Sequence, residues 1–175
     1  KDNRLTNDER NFIFKKVVDS ACSPDKANDN VLKFIDNYIL SNPSIVSSEI
    51  KRAELLVYKA ATYLGMNKPK QAETIIRQIL TSLRQTNAEN HIIFKYEQYL
   101  EICLLAQGRL DDALTQNRRI LSLITMLPNY KNYLEYLALC CRAAIYYDTK
   151  GDYETVLKLC SEIDGIDHTQ LTSIS

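Results

Sequence analysis

Leu104-Leu105-Ala106-Gln107-Gly108-Arg109-Leu110-Asp111-Asp112-Ala113 is the stretch whose reading decides the fold. An apolar-periodic segment runs into glycine, two aspartates follow within the next turn, and alanine resumes the pattern. That order ends one helix in a left-handed cap and opens the next with carboxylates at its positive end. Gly108 is therefore the tip of a helical hairpin. Similar turns occur at Gly151-Asp152-Tyr153-Glu154, at Asn67-Lys68-Pro69-Lys70-Gln71-Ala72 with proline at the first helical position, and at Ser23-Pro24-Asp25. Asp25 to Asn67 is 42 residues, Asn67 to Gly108 is 41, and Gly108 to Gly151 is 43. An interval this constant marks a repeat.

Composition agrees with a helical array. Only four Gly and four Pro interrupt 175 residues, and no alternating pattern long enough for a strand is present, so the class is all-α. At 45% apolar the chain can bury one continuous core, and a single domain over residues 1–175 is expected. Lys plus Arg equals Asp plus Glu at 22 each, without blocks, which gives no footprint for nucleic acid. No apolar run reaches the roughly 18 residues of a membrane span, so no direct membrane insertion is expected within this chain. Lys1 at the start, and the helix stop with a fresh Asp-x-x-Gln beginning in Asp164–Gln170, fit a piece of a larger protein in which residues 165–175 open a further segment.

Four hairpins follow from the periodicity, at about 6–41, 45–85, 86–127 and 130–164. The capping box Thr6-Asn7-Asp8-Glu9 starts the first helix, with Phe12, Ile13, Phe14, Val17, Val18 and Ala21 on its apolar face. Ser23 as N-cap with Pro24 behind it opens the second, which ends ahead of Asn42-Pro43. Helices are expected from about Ile45 to Met66 and from Pro69 to Gln85. A second capping box, Thr86-Asn87-Ala88-Glu89, starts the fifth helix, and the sixth runs from Leu110 to the residues before Pro128. Tyr130–Thr149 forms the seventh, and Asp152 to about Ile163 the eighth, with Val156, Leu157 and Cys160 inward. Pairs of this kind bury a core only against their neighbours.

Around the inter-helix turns the residues resemble the tetratricopeptide repeat (TPR): Ala106, Gly108 and Ala113 in the third hairpin, Ala144, Tyr147, Gly151 and Tyr153 in the fourth, and Ala60, Tyr63, Asn67 and Ala72 in the second. The resemblance implies a right-handed α-solenoid of four antiparallel hairpins, with the first helix of each pair on the inner face. The period of about 42 exceeds the family's usual 34 or so, which implies longer helices. Val156 and Glu101 stand where the motif has small residues. A HEAT-like pairing, of similar period, is the alternative architecture.

Chemistry-bearing constellations are sparse. His91 and His168 lie far apart with no ligand-spaced companion, so neither metal nor another cofactor is indicated. Cys22, Cys103, Cys140, Cys141 and Cys160 contain no Cys-x-x-Cys and fall mostly at core spacing, which suits small apolar packing residues and no disulfide. Asp111-Asp112 reads as charge at a helix N-terminus. No pair of buried carboxylates at helical spacing is recognised, and the chain is read as no enzyme.

Eleven tyrosines against four Phe and no Trp form the one compositional excess, and most lie on the first helices of hairpins. Half-buried tyrosines suit a peptide-binding groove. In the frame set by Asn67, Gly108 and Gly151 the inner face holds Glu54, Val57 and Tyr58, then Lys95, Gln98, Tyr99 and Ile102, then Cys141, Arg142 and Ile145. The family's carboxylate clamp would fall on Val57, Ala61, Tyr99, Ala138 and Arg142, of which only Arg142 matches, so an internal, partly apolar segment is the expected ligand. Tyr99→Ala and Arg142→Ala are expected to weaken partner binding by ~1–3 kcal/mol with the melting temperature nearly unchanged. The resemblance thus implies a non-catalytic protein- or peptide-binding module within a larger signalling or adaptor protein. The alternative is an extracytoplasmic sensor input domain of a bacterial two-component regulator or histidine kinase, and the compartment stays open between the two.

Overall fold

A computed structural model describes residues 6–43, 47–166, 169, 171 and 172. These residues form eight α-helices: α1 (Asn7–Ala21), α2 (Asp29–Ser41), α3 (Glu49–Gly65), α4 (Pro69–Gln85), α5 (Asn90–Leu105), α6 (Leu110–Ile124), α7 (Leu134–Thr149) and α8 (Tyr153–Asp164). The chain divides into two compact units, Lys1–Ala88 with α1 to α4 and Glu89–Ser175 with α5 to α8.

The turns form where their residue types predict. Asn67, Gly108 and Gly151 all take positive φ, at 56°, 70° and 73°, which lets the chain leave each first helix by a left-handed residue and re-enter the second. Asn87 and Asn129 do the same between hairpins. The Thr6 capping box is closed in both directions, Glu9 N–H donating to the Thr6 hydroxyl and Thr6 N–H to the Glu9 carboxylate.

Several helix starts differ from expectation. α2 begins at Asp29 because Asn28 Oδ1 accepts from the Asn30 and Val31 amides, whereas Ser23 closes only a turn through its carbonyl, which takes the Lys26 and Ala27 amides. The Thr86 capping box does not form. Thr86 is the C-cap of α4, its hydroxyl donates back to the Ser82 and Leu83 carbonyls, and left-handed Asn87 prevents it from capping forward. The expected helix start near Ile45 lies partly outside the described residues, and α3 opens at Glu49 with Ser48 as its cap. Residues 130–132 form a separate 3-10 turn ahead of α7.

In the first unit, Phe14, Val18, Ile35 and Leu55 make a core between α1, α2 and α3, and Ala72, Ile76, Ile79, Leu80 and Leu83 bury the inner stripe of α4. In the second, Phe94, Ile120, Ile124, Tyr136, Leu139, Cys140 and Ile166 form one cluster. Its tail turns back, with Leu134 N–H donating to the Thr172 carbonyl; the Asp167-x-x-Gln170 start lies outside the described residues. Several expected core positions face outward: Phe12, Ile13 and Val17 of α1, and Leu157 and Cys160 of α8. α8 has no fully buried residue. A stripe of 3.6 periodicity has two edges, and which edge meets a neighbour is set by where that neighbour sits.

Candidate partner-binding faces

Helical spacing places Lys95, Gln98, Tyr99 and Ile102 on one side of α5, at i, i+3, i+4 and i+7, and Cys141, Arg142 and Ile145 on one side of α7. The second unit brings α5 and α7 together beneath these residues through a buried carboxylate. Glu101 is 0% exposed and receives four donors. Arg142 Nε and Nη2 reach its two oxygens at 3.0 and 3.1 Å, the Tyr146 hydroxyl donates at 2.8 Å, and Asn117 Nδ2 of α6 donates at 3.0 Å. The paired arginine bonds are the bidentate geometry that suits a planar carboxylate. Burial, and then the hydrogen bond to Glu101, push the Tyr146 hydroxyl well above the ordinary tyrosine range, so it serves as a neutral donor.

One turn earlier, Glu97 is equally buried; Gln116 Nε2 donates to its carboxylate, and Arg119 Nε lies 3.4 Å from it. Glu97 and Glu101 are therefore a pair of buried carboxylates at i, i+4, against the expectation that the chain holds none. The only signal in the sequence is Glu101 itself, standing where the repeat has a small residue. Each carboxylate is enclosed by donors from other helices and neither meets solvent, so the pair holds helices together and offers nothing to a substrate.

The face above this network is mixed. Ile102 is 46% and Ile145 61% exposed; Lys95 and Cys141 are exposed, and Gln98, Tyr99 and Arg142 half-buried. Arg142 thus carries two tasks, and removing it would strand a buried charge. Arg142→Ala is therefore expected to lower the melting temperature, where the sequence alone led to the expectation of little change.

The candidates in the first unit are more occupied. Val57 is 7% exposed and belongs to the core. Glu54 accepts an ion pair from Lys15 at 3.2 Å. The Tyr58 ring meets Phe14 edge-on at 6.0 Å. Glu54 and Tyr58 tie α3 to α1, and none of the three is exposed.

Among solved structures, that of a Podosopora anserina kinesin light chain protein with nearly identical TPR-like repeats matches 97% of this chain and 80% of its own, at a TM-score of 0.74 and 13% identity. A variant of that same protein matches 91% of this chain and 76% of its own, at a TM-score of 0.71 and 12% identity. The fold is a TPR-like helical repeat. No family model and no curated protein matches the sequence. TPR-like architecture also accounts for the left-handed residues at Asn67, Gly108 and Gly151, each standing at the hairpin tip of its own repeat. No described helix is long and apolar enough to cross a membrane.

Proposed function

We propose that the chain is a non-catalytic protein-binding module of a larger adaptor or signalling protein, and that the α5–α7 face of the second unit receives an internal, partly apolar segment of its partner. The observation that carries this reading is that Ile102 of α5 and Ile145 of α7 are both exposed on two helices that the Arg142–Glu101 ion pair ties together. An apolar contact beside a partly shielded cation favours a peptide with an aliphatic anchor and a nearby carboxylate or carbonyl. Tyr99 adds a ring at low rotamer cost, and Lys95 extends the polar rim.

A library of internal peptide segments, read by fluorescence anisotropy, tests it. Binding of a defined aliphatic-acidic class, lost in Ile145→Glu and Ile102→Glu while the melting temperature holds, is the expected result. Binders that are insensitive to both substitutions would move the contact surface elsewhere and overturn the assignment of this face.

A further inference from the structure

On the α5–α7 face the open positions of α7 keep a helical period. Leu134, Ala138, Cys141 and Ile145 follow at intervals of four, three and four residues, the spacing of a seam between packed helices. Leu134 is 45% exposed, Cys141 and Ile145 are exposed, and Ala138 is half-buried. The opposite side of α7 carries buried Tyr136, Leu139, Cys140 and Ala143. The helix is therefore apolar on both sides, a pattern that belongs to an enclosed helix. Its open row does not come from a missing neighbour. Both α6 and α8 pack on α7, and the equivalent Ile102 of α5 is 46% exposed although Glu101 ties that helix to α7.

α5 supplies the other wall. Aligning Gly108 on Gly151 carries His91, Lys95, Gln98 and Ile102 onto Leu134, Ala138, Cys141 and Ile145. Glu101 bonds to Arg142 and Tyr146, which stand on either side of its own equivalent, Ala144, so the two rows lie level. Their chemistry differs. Ile102 faces the same end as Ile145, but the rest of the α5 row is polar where the α7 row is apolar. His91 already lies beside Glu89 at 3.2 Å, and Arg142 is committed to Glu101. Lys95, level with Ala138, is exposed and makes no ion pair among the described residues. It is the cation of these rows left for an incoming carboxylate.

Taking the α5–α7 face as the partner site, on which the rest depends, we infer that its occupant is an amphipathic α-helix of the partner, laid lengthwise with its apolar stripe on the α7 row and an acidic edge toward Lys95. Successive positions of each row lie on average about 5 Å apart along the axis, the interval at which a second helix presents its own side chains. An extended segment presents same-side residues about 6.7 Å apart, and over a row of this length it drifts out of step by roughly 4 Å. Ala138 and Cys141 in the middle of the row are small and let a helix axis come close.

Fluorescence anisotropy with two synthetic peptides of equal composition tests this. One places leucines at alternating three- and four-residue intervals with glutamates along one flank, the pattern of an amphipathic helix; the other alternates leucine with polar residues, the pattern of an extended chain. The helical peptide should bind, and the alternating one should bind at least about tenfold more weakly. Lys95→Glu should weaken the glutamate-flanked helix about tenfold and accept a lysine-flanked one in its place, while Ile145→Glu should abolish binding of both. Each variant should melt with the parent, since both side chains are exposed. Preference for the alternating peptide, lost in Ile102→Glu and Ile145→Glu, overturns the helix and leaves the face as the partner site. Helical binding that Ile145→Glu removes but the charge exchange does not change overturns the acidic edge and with it the proposal. Helical binding indifferent to Lys95, Ile102 and Ile145 overturns both the occupant and the face, and no helical binding up to about 1 mM overturns the occupant.

Discussion

At the scale of single residues, the second unit turns on Glu101. A carboxylate removed from water is tolerated when its lone pairs are filled, and here Arg142, Tyr146 and Asn117 fill them from two other helices. Removing one partner leaves the charge buried. Arg142→Ala is therefore expected to lower unfolding free energy by about 3 kcal/mol in urea titration, with Arg142→Lys intermediate because an ammonium cannot bind both oxygens in the same plane. Tyr146 makes a pH prediction. Its proton is held more tightly folded than unfolded, as is that of Tyr136, where burial is the main cause and contact with Cys140 adds to it. For an acid whose folded pKa is raised, the contribution to stability is complete below the unfolded value, near pH 10, and declines as pH rises through and beyond it. Stability measured by chemical denaturation should be insensitive to these groups from pH 7 to 9 and then fall, with a shallower fall in Tyr146→Phe. Glu101 is visible in the sequence as a charge where the repeat has a small residue. Its meaning is not, because Arg142 stands 41 positions away.

At the scale of elements, the caps determine where each helix ends, and two kinds of glycine separate cleanly. Gly108 and Gly151 have positive φ and nothing within 4 Å of an added Cβ, so their whole requirement is backbone conformation. Gly108→Ala should cost about 1–2 kcal/mol, and Asn67→Gly should be neutral or mildly stabilising, since asparagine already tolerates that region. Gly65 differs. It is helical, but a Cβ there would come within 2.7 Å of both the Ala27 Cβ and the Cys22 carbonyl oxygen. Gly65→Ala should cost about 1–3 kcal/mol by forcing α3 away from the α1–α2 turn, checked by the denaturation midpoint. The turn tips are legible because left-handed residues announce themselves locally. The Thr86 box misleads for the same reason: Thr-x-x-Glu satisfies the local rule, while the preceding helix takes the threonine hydroxyl and Asn87 takes the turn.

At the scale of the whole molecule, exposure separates the five thiols. Cys141 and Cys160 face solvent, Cys103 and Cys140 are buried, and Cys22 is half-buried with its Sγ against Thr62. Burial also pushes the Cys140 and Cys22 thiols up, away from the reactive thiolate. A thiol reagent should titrate two cysteines rapidly in the native protein and all five only in denaturant. Fast reaction at Cys140 would contradict the packing of α7. What the sequence determined by itself was everything carried by short-range rules: the helical class, the period, the left-handed tips at Asn67, Gly108 and Gly151, and the first capping box. Those depend on residues within a turn of one another. Tertiary structure alone decided which edge of each stripe is core, because a helix with apolar residues on a broad arc can meet its neighbour at several rotations. Val57 went inward, Ile102 and Ile145 outward, and half of the α1 stripe was left open. The same positional choice buried Glu97 and Glu101, since a charge enters a core only where other helices bring enough donors to replace the water it loses.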